Sequence, residues 1–244
     1  IEALVCRDVG RGTRKLIEAT RGELAAAAET LAGARSVGMI TGFYVPRGET
    51  PAAETDGPVG TALLAQALVA CGRKVRIATD APCVNVVRTA ARGVEVDEVA
   101  DIAGAVETWR RAGIDCAVSI ERCGKSIDGK PRNMRGADVS AWTLPLDDLF
   151  TGGNWSKVAV GDGGNEIGMG KLSPDLIGAT VPNGEAIASV TSCDHLIVAG
   201  VSNWGAYGLM AGLAVVRPEW RKIIAQFLTA ERDIGFPRSV SASC

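Results

Sequence analysis

Six short apolar runs, mostly β-branched, recur along the chain with helical patterns between them, and few architectures accommodate that alternation. The runs are 36–41 (SVGMIT), 74–79 (KVRIAT), 94–99, 115–120 (DCAVSI), 157–161 (KVAVG) and 195–199 (HLIVA). Most are continuous rather than strictly alternating, which marks strands buried on both faces. Helical patterns occupy 14–31, 59–71, 85–92 and 102–112. The second is apolar all round and closes on Gly72; the last runs up to Gly113, so both stop beside a glycine suited to a helix end. Strand–helix–strand order predicts a three-layer, doubly wound, mostly parallel α/β sheet of Rossmann-like form with helices on both faces. No repeat, linker or low-complexity tract interrupts it, so residues 1–244 read as one domain.

The composition fits that fold and narrows the partners. Glycine is abundant (30 residues) and aromatics are scarce (5%), as suits a sheet packed through small and β-branched side chains. The net charge of −2 gives no electrostatic reason to expect nucleic acid or an anionic membrane. Residues 196–216 carry no charge and have spanning length, but Ser202, Asn203 and several glycines divide them into a buried strand, a turn and a buried helix. No signal peptide is visible. The seven cysteines, Cys6, Cys71, Cys83, Cys116, Cys123, Cys193 and Cys244, form no C-x-x-C pair. They read as reduced, packed thiols of a cytoplasmic protein. A catalytic cysteine would need His195, the single histidine, as its base; that residue begins a strand, the wrong end for a site, and is expected to be structural.

In open parallel sheets ligands bind beyond the carboxyl ends of the strands, so the strand-end loops carry the functional signal. The first, 41–60, holds Glu49, Glu54 and Asp56 ahead of Gly57-Pro58 at a helix start. Acids there could simply complement the helix dipole; the length of the loop favours a carboxylate cluster over a site. After the second strand, Asp80 is expected to cap the next helix. The fourth strand ends in Glu121-Arg122, followed by a polar stretch with Lys125, Lys130, Arg132, Asn133, Arg135 and Asp138. Clustered guanidiniums suit a small anionic substrate. Gly124-Lys125-Ser126 is no P-loop, because position 119 is serine where that motif requires glycine.

The fifth strand runs into Gly161-Asp162-Gly163-Gly164-Asn165-Glu166-Ile167-Gly168-Met169-Gly170. Five glycines in ten residues let backbone N–H groups converge. The run departs from the dinucleotide fingerprint, because Glu166 stands where its last glycine belongs. Asp162 and Glu166 would repel phosphate; they suit an ammonium group, or a carboxyl kept protonated by burial. After the last strand, Ser202 and Asn203 can cap the following helix, and Asn203 can alternatively meet substrate.

Together and in order, these loops resemble the D-glutamate cyclase family. The resemblance rests on ETDGPVGTALLAQAL (54–68), IERCGKSIDGKPRNMRGADVS (120–140), VGDGGNEIGMG (160–170) and AGVSNWGAYGL (199–209). It implies a carbon–oxygen hydro-lyase that converts D-glutamate to 5-oxo-D-proline and water, with no need of a nucleotide or redox cofactor. Animal members of the family join this domain to another unit, which is absent from these 244 residues.

On that reading the protein must fold the substrate on itself, deprotonate its amine and protonate the departing oxygen. Glu166 or Asp162 is expected to take the ammonium proton. Glu121 or Asp56, kept protonated, would serve the leaving oxygen. Arg122 and Arg135 would grip the α-carboxylate, and the N–H groups of Gly163 and Gly164 would face the oxyanion. Asn165 and Asn203 would orient the substrate, with Glu54, Asn133 and Asp138 completing the lining. Two other readings stay open: a magnesium-dependent hydrolase or phosphatase using Glu54, Asp56, Asp162 and Glu166, and a non-catalytic binder of small anions. Homo-oligomerisation is also open. All of this requires the loops to converge above one rim of the sheet.

Overall fold

The computed structural model describes residues 1–46 and 51–230. Glu49 and Cys244 lie outside them. The chain opens with α1 (Glu2–Val5), α2 (Arg14–Ala19) and α3 (Glu23–Gly33), then β1 (Ser36–Thr41) and two short strands, β2 (Tyr44–Val45) and β3 (Ala52–Ala53). There follow α4 (Pro58–Ala70), β4 (Lys74–Thr79), α5 (Val84–Ala90), β5 (Glu95–Glu98), α6 (Ile102–Arg111) and β6 (Cys116–Ile120). The last third holds α7 (Asp147–Thr151), β7 (Ser156–Gly161), α8 (Pro174–Gly178), α9 (Gly184–Ile187), β8 (His195–Val198), α10 (Ser202–Val216) and α11 (Arg221–Ala230).

Six strands form a wholly parallel sheet in the order β5-β4-β1-β6-β7-β8, and β2 and β3 pair separately as an antiparallel ribbon. The chain builds outward from β1 through β4 to β5, returns to the other side of β1 with β6, and continues to β7 and β8. Connections therefore leave β1 and β6 in opposite directions, which opens a crevice between their carboxyl ends.

Alternate strand residues feed two cores. Val37, Met39, Ile77, Val118, Val158 and Val160 pack beneath α3, α4 and α10. Ile40, Ala78, Ala117, Ala159 and Val198 face the opposite layer with Trp109, Phe150 and Trp155. The predicted double burial is thus what makes the runs continuous. Trp109 and Trp155 meet edge to face with centroids 5.5 Å apart. Gly38 in β1 admits this pair, since a Cβ there would stand 2.6 Å from the Trp109 ring. Edge strand β5, by contrast, is half exposed and charged.

The predicted helix over 14–31 is two helices. The Thr20 hydroxyl bonds back to the carbonyls of Leu16 and Ile17, and Gly22 takes a φ of 92°, turning the chain before α3. Residues 196–216 divide into β8 and α10 as read, and among the described residues no helix is long and apolar enough to cross a membrane.

Candidate active site

The two residues that leave β6 and β7 face the crevice region. Glu121 follows β6 and Asp162 follows β7, and because these neighbours run parallel both lie at one rim. Glu121 has φ = 48°, a left-handed conformation that costs a non-glycine residue on the order of 1–3 kcal/mol. Its N–H bonds the Val160 carbonyl at 3.2 Å. Gly57, at the start of α4, presses on it so closely that a Cβ there would lie 2.6 Å from the Glu121 Cβ. The Ser202 hydroxyl donates to Glu121 Oε2.

Two helices begin at this rim, and each is capped by the other's entry loop. Asn203 Oδ1 accepts from the N–H of Gly57 (3.0 Å) and Gly60 (2.7 Å) at the start of α4. Asp56 accepts from the N–H of Ser202 (3.3 Å) and Asn203 (2.8 Å) at the start of α10. Ser202 and Asn203 therefore do not cap their own helix, as sequence suggested. One serves Glu121 and the other serves α4.

Asp56, Glu121 and Asp162 form a carboxylate cluster, each offering an oxygen within 4.8 Å of the others. Glu121 is 9% exposed and Asp162 2%. Burial pushes the Glu121 pKa well above the usual carboxylate range, and the charges of Asp162, Glu166, Asp56 and Glu54 push it further. Asp162 rises for the same reasons, burial first, then Glu166 and Asp56. Arg11 opposes the rise, its Nη1 lying 2.6 Å from Asp162 Oδ1. No donor among the described residues reaches Asp162 Oδ2. Asp56 brings a further carboxylate oxygen within 4.8 Å of Asp162.

The glycine turn serves a different purpose from the one expected. Glu166 accepts from the N–H groups of Asp162 (2.8 Å), Gly163 (2.6 Å) and Gly164 (2.7 Å). The converging amides of Gly163 and Gly164 are thus occupied by the chain's own carboxylate and do not face an oxyanion. Glu166, with both oxygens engaged, is the clasp of the turn and not a base. Asn165 anchors the overlying loop through Nδ2 to the Arg132 carbonyl at 2.8 Å.

Arg122 is corrected as well. It is fully buried and spends its guanidinium on Asp80 Oδ2 (2.5 Å) and on the carbonyls of Gly42 (2.9 Å) and Leu144 (2.5 Å). Asp80 is accordingly an ion-pair partner and not a side-chain cap. The basic loop is largely neutralised by its own acids: Lys130 pairs with Asp138, Arg132 with Asp128 and Lys125 with Asp148. Asn133 closes a turn by accepting from the N–H groups of Arg135 and Ala137. Arg135 and Asp138 are exposed. Glu54 is half-buried and within electrostatic reach of Glu121.

Among the described residues, the guanidinium that contacts the cluster is Arg11, which sequence reasoning passed over. Asp8 Oδ1 accepts from the successive N–H groups of Gly10, Arg11 and Gly12 at 2.9–3.1 Å, which curls the segment before α2 and brings Arg11 to the rim. The signal was local: an aspartate two residues ahead of a Gly-Arg-Gly is an Asx-turn pattern. His195 lies at the amino end of β8, where its Nε2 meets the Thr30 hydroxyl at 2.9 Å, and burial pushes the Cys83, Cys116 and Cys193 thiols up to about 12. Among the described residues neither type supplies a nucleophile here.

A family model described as D-glutamate cyclase-like, C-terminal, matches residues 1–235. The chain belongs to this D-glutamate cyclase-like family. It is also similar to mitochondrial D-glutamate cyclase of Homo sapiens, 31% identical over 239 residues covering 88% of this chain. The match spans 38% of that protein's length. Among solved structures, the chain is similar to 3-deoxy-D-manno-octulosonate 8-phosphate phosphatase from Moraxella catarrhalis (13% identity, TM-score 0.45, 85% of this chain and 99% of that one). It is likewise similar to a structure described as a HAD superfamily (subfamily III A) hydrolase from Legionella pneumophila (11% identity, TM-score 0.42, 87% and 97%). For this member of the D-glutamate cyclase-like family, the candidate site brings together Arg11, Asp56, Glu121, Asp162 and Ser202.

Proposed function

We propose that the protein cyclises D-glutamate, or a closely related D-amino dicarboxylate, to the five-membered lactam with loss of water. One observation carries this reading: two buried carboxyls, Glu121 and Asp162, share a rim but differ in counter-charge, because the guanidinium of Arg11 touches only Asp162. Unequal environments separate an acid from a base in a pair of like groups. Asp162, beside its cation, is the base. Glu121, raised foremost by burial and then by the surrounding acids, and not in contact with the guanidinium, is the general acid.

The reaction needs no net proton. The substrate ammonium gives up two protons on becoming a lactam N–H, and the departing carboxylate oxygen needs two to leave as water. Asp162 accepts the first proton, which frees the nitrogen lone pair to attack the γ-carboxyl carbon. Glu121 donates to the γ-carboxyl oxygen as the tetrahedral centre forms. The second N–H proton passes to the same oxygen, the carbon–oxygen bond breaks to release water, and the proton held by Asp162 passes to Glu121, which restores both carboxyls. Ser202 holds Glu121 in place, and the Asp56–Asn203 caps hold the helix starts that frame the cavity. Family membership supports the substrate class.

Purified protein incubated with D- or L-glutamate and assayed chromatographically for 5-oxoproline tests the proposal. Lactam from the D-enantiomer, abolished by Asp162→Asn, is the expected outcome; no lactam from either enantiomer rejects it. A second reading has the Asp56–Glu121–Asp162 spacing behind it, since three hard oxygen donors so close can also hold a divalent cation. Glu166, included in that set from sequence, is committed to the turn. Dialysis against EDTA separates the readings: the acid–base reading expects turnover to survive it.

A further inference from the structure

Arg11 combines a fixed base with an uncommitted head. Its backbone is locked by the Asp8 carboxylate, and the preceding segment is tied down by the Gly200 N–H to the Val5 carbonyl at 2.9 Å. Its side chain, however, is 48% exposed and touches Asp162 through Nη1 alone, whereas the Asp162 side chain is buried. A single N–H···O contact leaves most of the guanidinium fork unused.

An amino dicarboxylate entering this rim brings two carboxylates toward at least three acids, together with one ammonium. The crowding of like charges is relieved if the two cations change partners. The ammonium can take the place of the guanidinium beside Asp162, and the guanidinium can turn to a substrate carboxylate, which accepts two parallel bonds where Asp162 accepted one. We infer that Arg11 is a substrate-responsive residue, paired with Asp162 in the empty site and transferred to the substrate α-carboxylate on binding, which leaves Asp162 beside the ammonium whose proton it takes. The inference rests on the cyclase reading for the identity of the substrate. The covalent bookkeeping is a proton transfer only: the N–H bond breaks, the Asp162 O–H bond forms, and the nitrogen keeps the electron pair.

The exchange has a kinetic signature. The profile of kcat/KM reports the free enzyme and that of kcat reports the bound complex. Arg11 stabilises the Asp162 carboxylate only in the free enzyme if it leaves on binding. Arg11→Met should therefore raise KM at least tenfold and move the acidic limb of kcat/KM to higher pH, with the acidic limb of kcat unmoved. Arg11→Lys, which can pair with Asp162 but cannot fork, should restore the kcat/KM limb without restoring KM. A guanidinium fixed on Asp162 throughout would move both limbs together, and that result, or no movement of either, overturns the inference.

Glutarate, which cannot cyclise, keeps the test apart from the cyclase reading. In calorimetry it should bind Arg11→Met at least tenfold more weakly than wild type. It should bind Asp162→Asn more tightly, because Arg11 no longer has to leave a partner. Equal binding to all three proteins overturns the transfer whether or not the wild type makes lactam. An absence of lactam with the expected glutarate pattern rejects the cyclase reading alone.

Discussion

Asp56 and Asn203 cap each other's helices. Asn203 satisfies the first N–H groups of α4, while Asp56, one residue before that helix's Gly57, satisfies those of α10. A change at either residue reaches both halves of the chain. Asn203→Ala strips two N–H groups of their acceptor and should cost about 1–2 kcal/mol of stability. Asn203→Asp keeps an acceptor oxygen and should recover most of it. Urea denaturation of the pair checks this; equal stabilities would mean that the cap is not energetically engaged.

Glu121 should be a liability to the fold at neutral pH and indispensable to turnover. An acid whose folded pKa lies above its unfolded value, about 4.3 for glutamate, keeps its proton longer in the native state. The native state is favoured below that unfolded value and loses the advantage as pH climbs through the folded one. Glu121 and Asp162 both shift this way, by burial foremost. Glu121→Gln should flatten the decline in urea midpoint between pH 5 and pH 8, raise the midpoint at pH 8, and abolish lactam formation.

The rate profile should carry the same shifts. Catalysis needs Asp162 ionised and Glu121 protonated, so a bell-shaped dependence is expected. Both limbs should lie above the ordinary carboxylate range, since burial raises both groups. Measuring kcat/KM from pH 4 to 10 decides it. An acidic limb near 4 would show that the base is a solvated carboxylate elsewhere.

Glu166→Gln is expected to act on stability rather than on the chemical step. The amide that replaces one oxygen presents N–H groups to a backbone N–H, and a hydrogen bond to a charged group contributes roughly 1.5–3 kcal/mol. A loss in that range is expected by denaturation, with activity recovering on cooling. A variant of wild-type stability without turnover would return Glu166 to the chemistry.

Arg122→Met should be the most damaging of these changes. It leaves Asp80 buried without its cation, and breaking such a pair costs about 3–5 kcal/mol. Burial raises the Asp80 pKa, and the charge and hydrogen bond of Arg122 more than reverse it, so the carboxyl sits below its usual value. The pair's contribution is therefore present above the unfolded pKa near 4 and lost on acidification. Thermal melts should show the deficit at pH 7 and a deficit that shrinks as pH falls below 4.

The sheet was legible because its strands are continuous apolar runs, and each predicted run contains or overlaps an observed strand. The start of α4 was legible from Gly57-Pro58. The convergence of Asp56, Glu121 and Asp162 followed from strand ends meeting at one rim. What failed was the direction of individual side chains. Glu121 follows β6 in a left-handed conformation that turns the chain, leaving Glu121 at the site and Arg122 in the core. Glu166 follows its turn amides closely enough to fill the hollow they make, a reciprocal capture familiar from capping boxes. Arg11 sits in a segment without hydrophobic periodicity, and its placement depends on an aspartate three residues earlier.

The left-handed backbone at Glu121 also says something about descent. A side chain other than glycine is held there against its preference by the start of α4 and by Ser202. A lineage freed from the chemistry gains stability by giving that side chain up, so drift should reach this codon early. Homologues that have lost the activity are expected to carry glycine or asparagine at this position while keeping the Arg122–Asp80 pair. An alignment of inactive members that retained glutamate there as faithfully as that pair would refute the expectation.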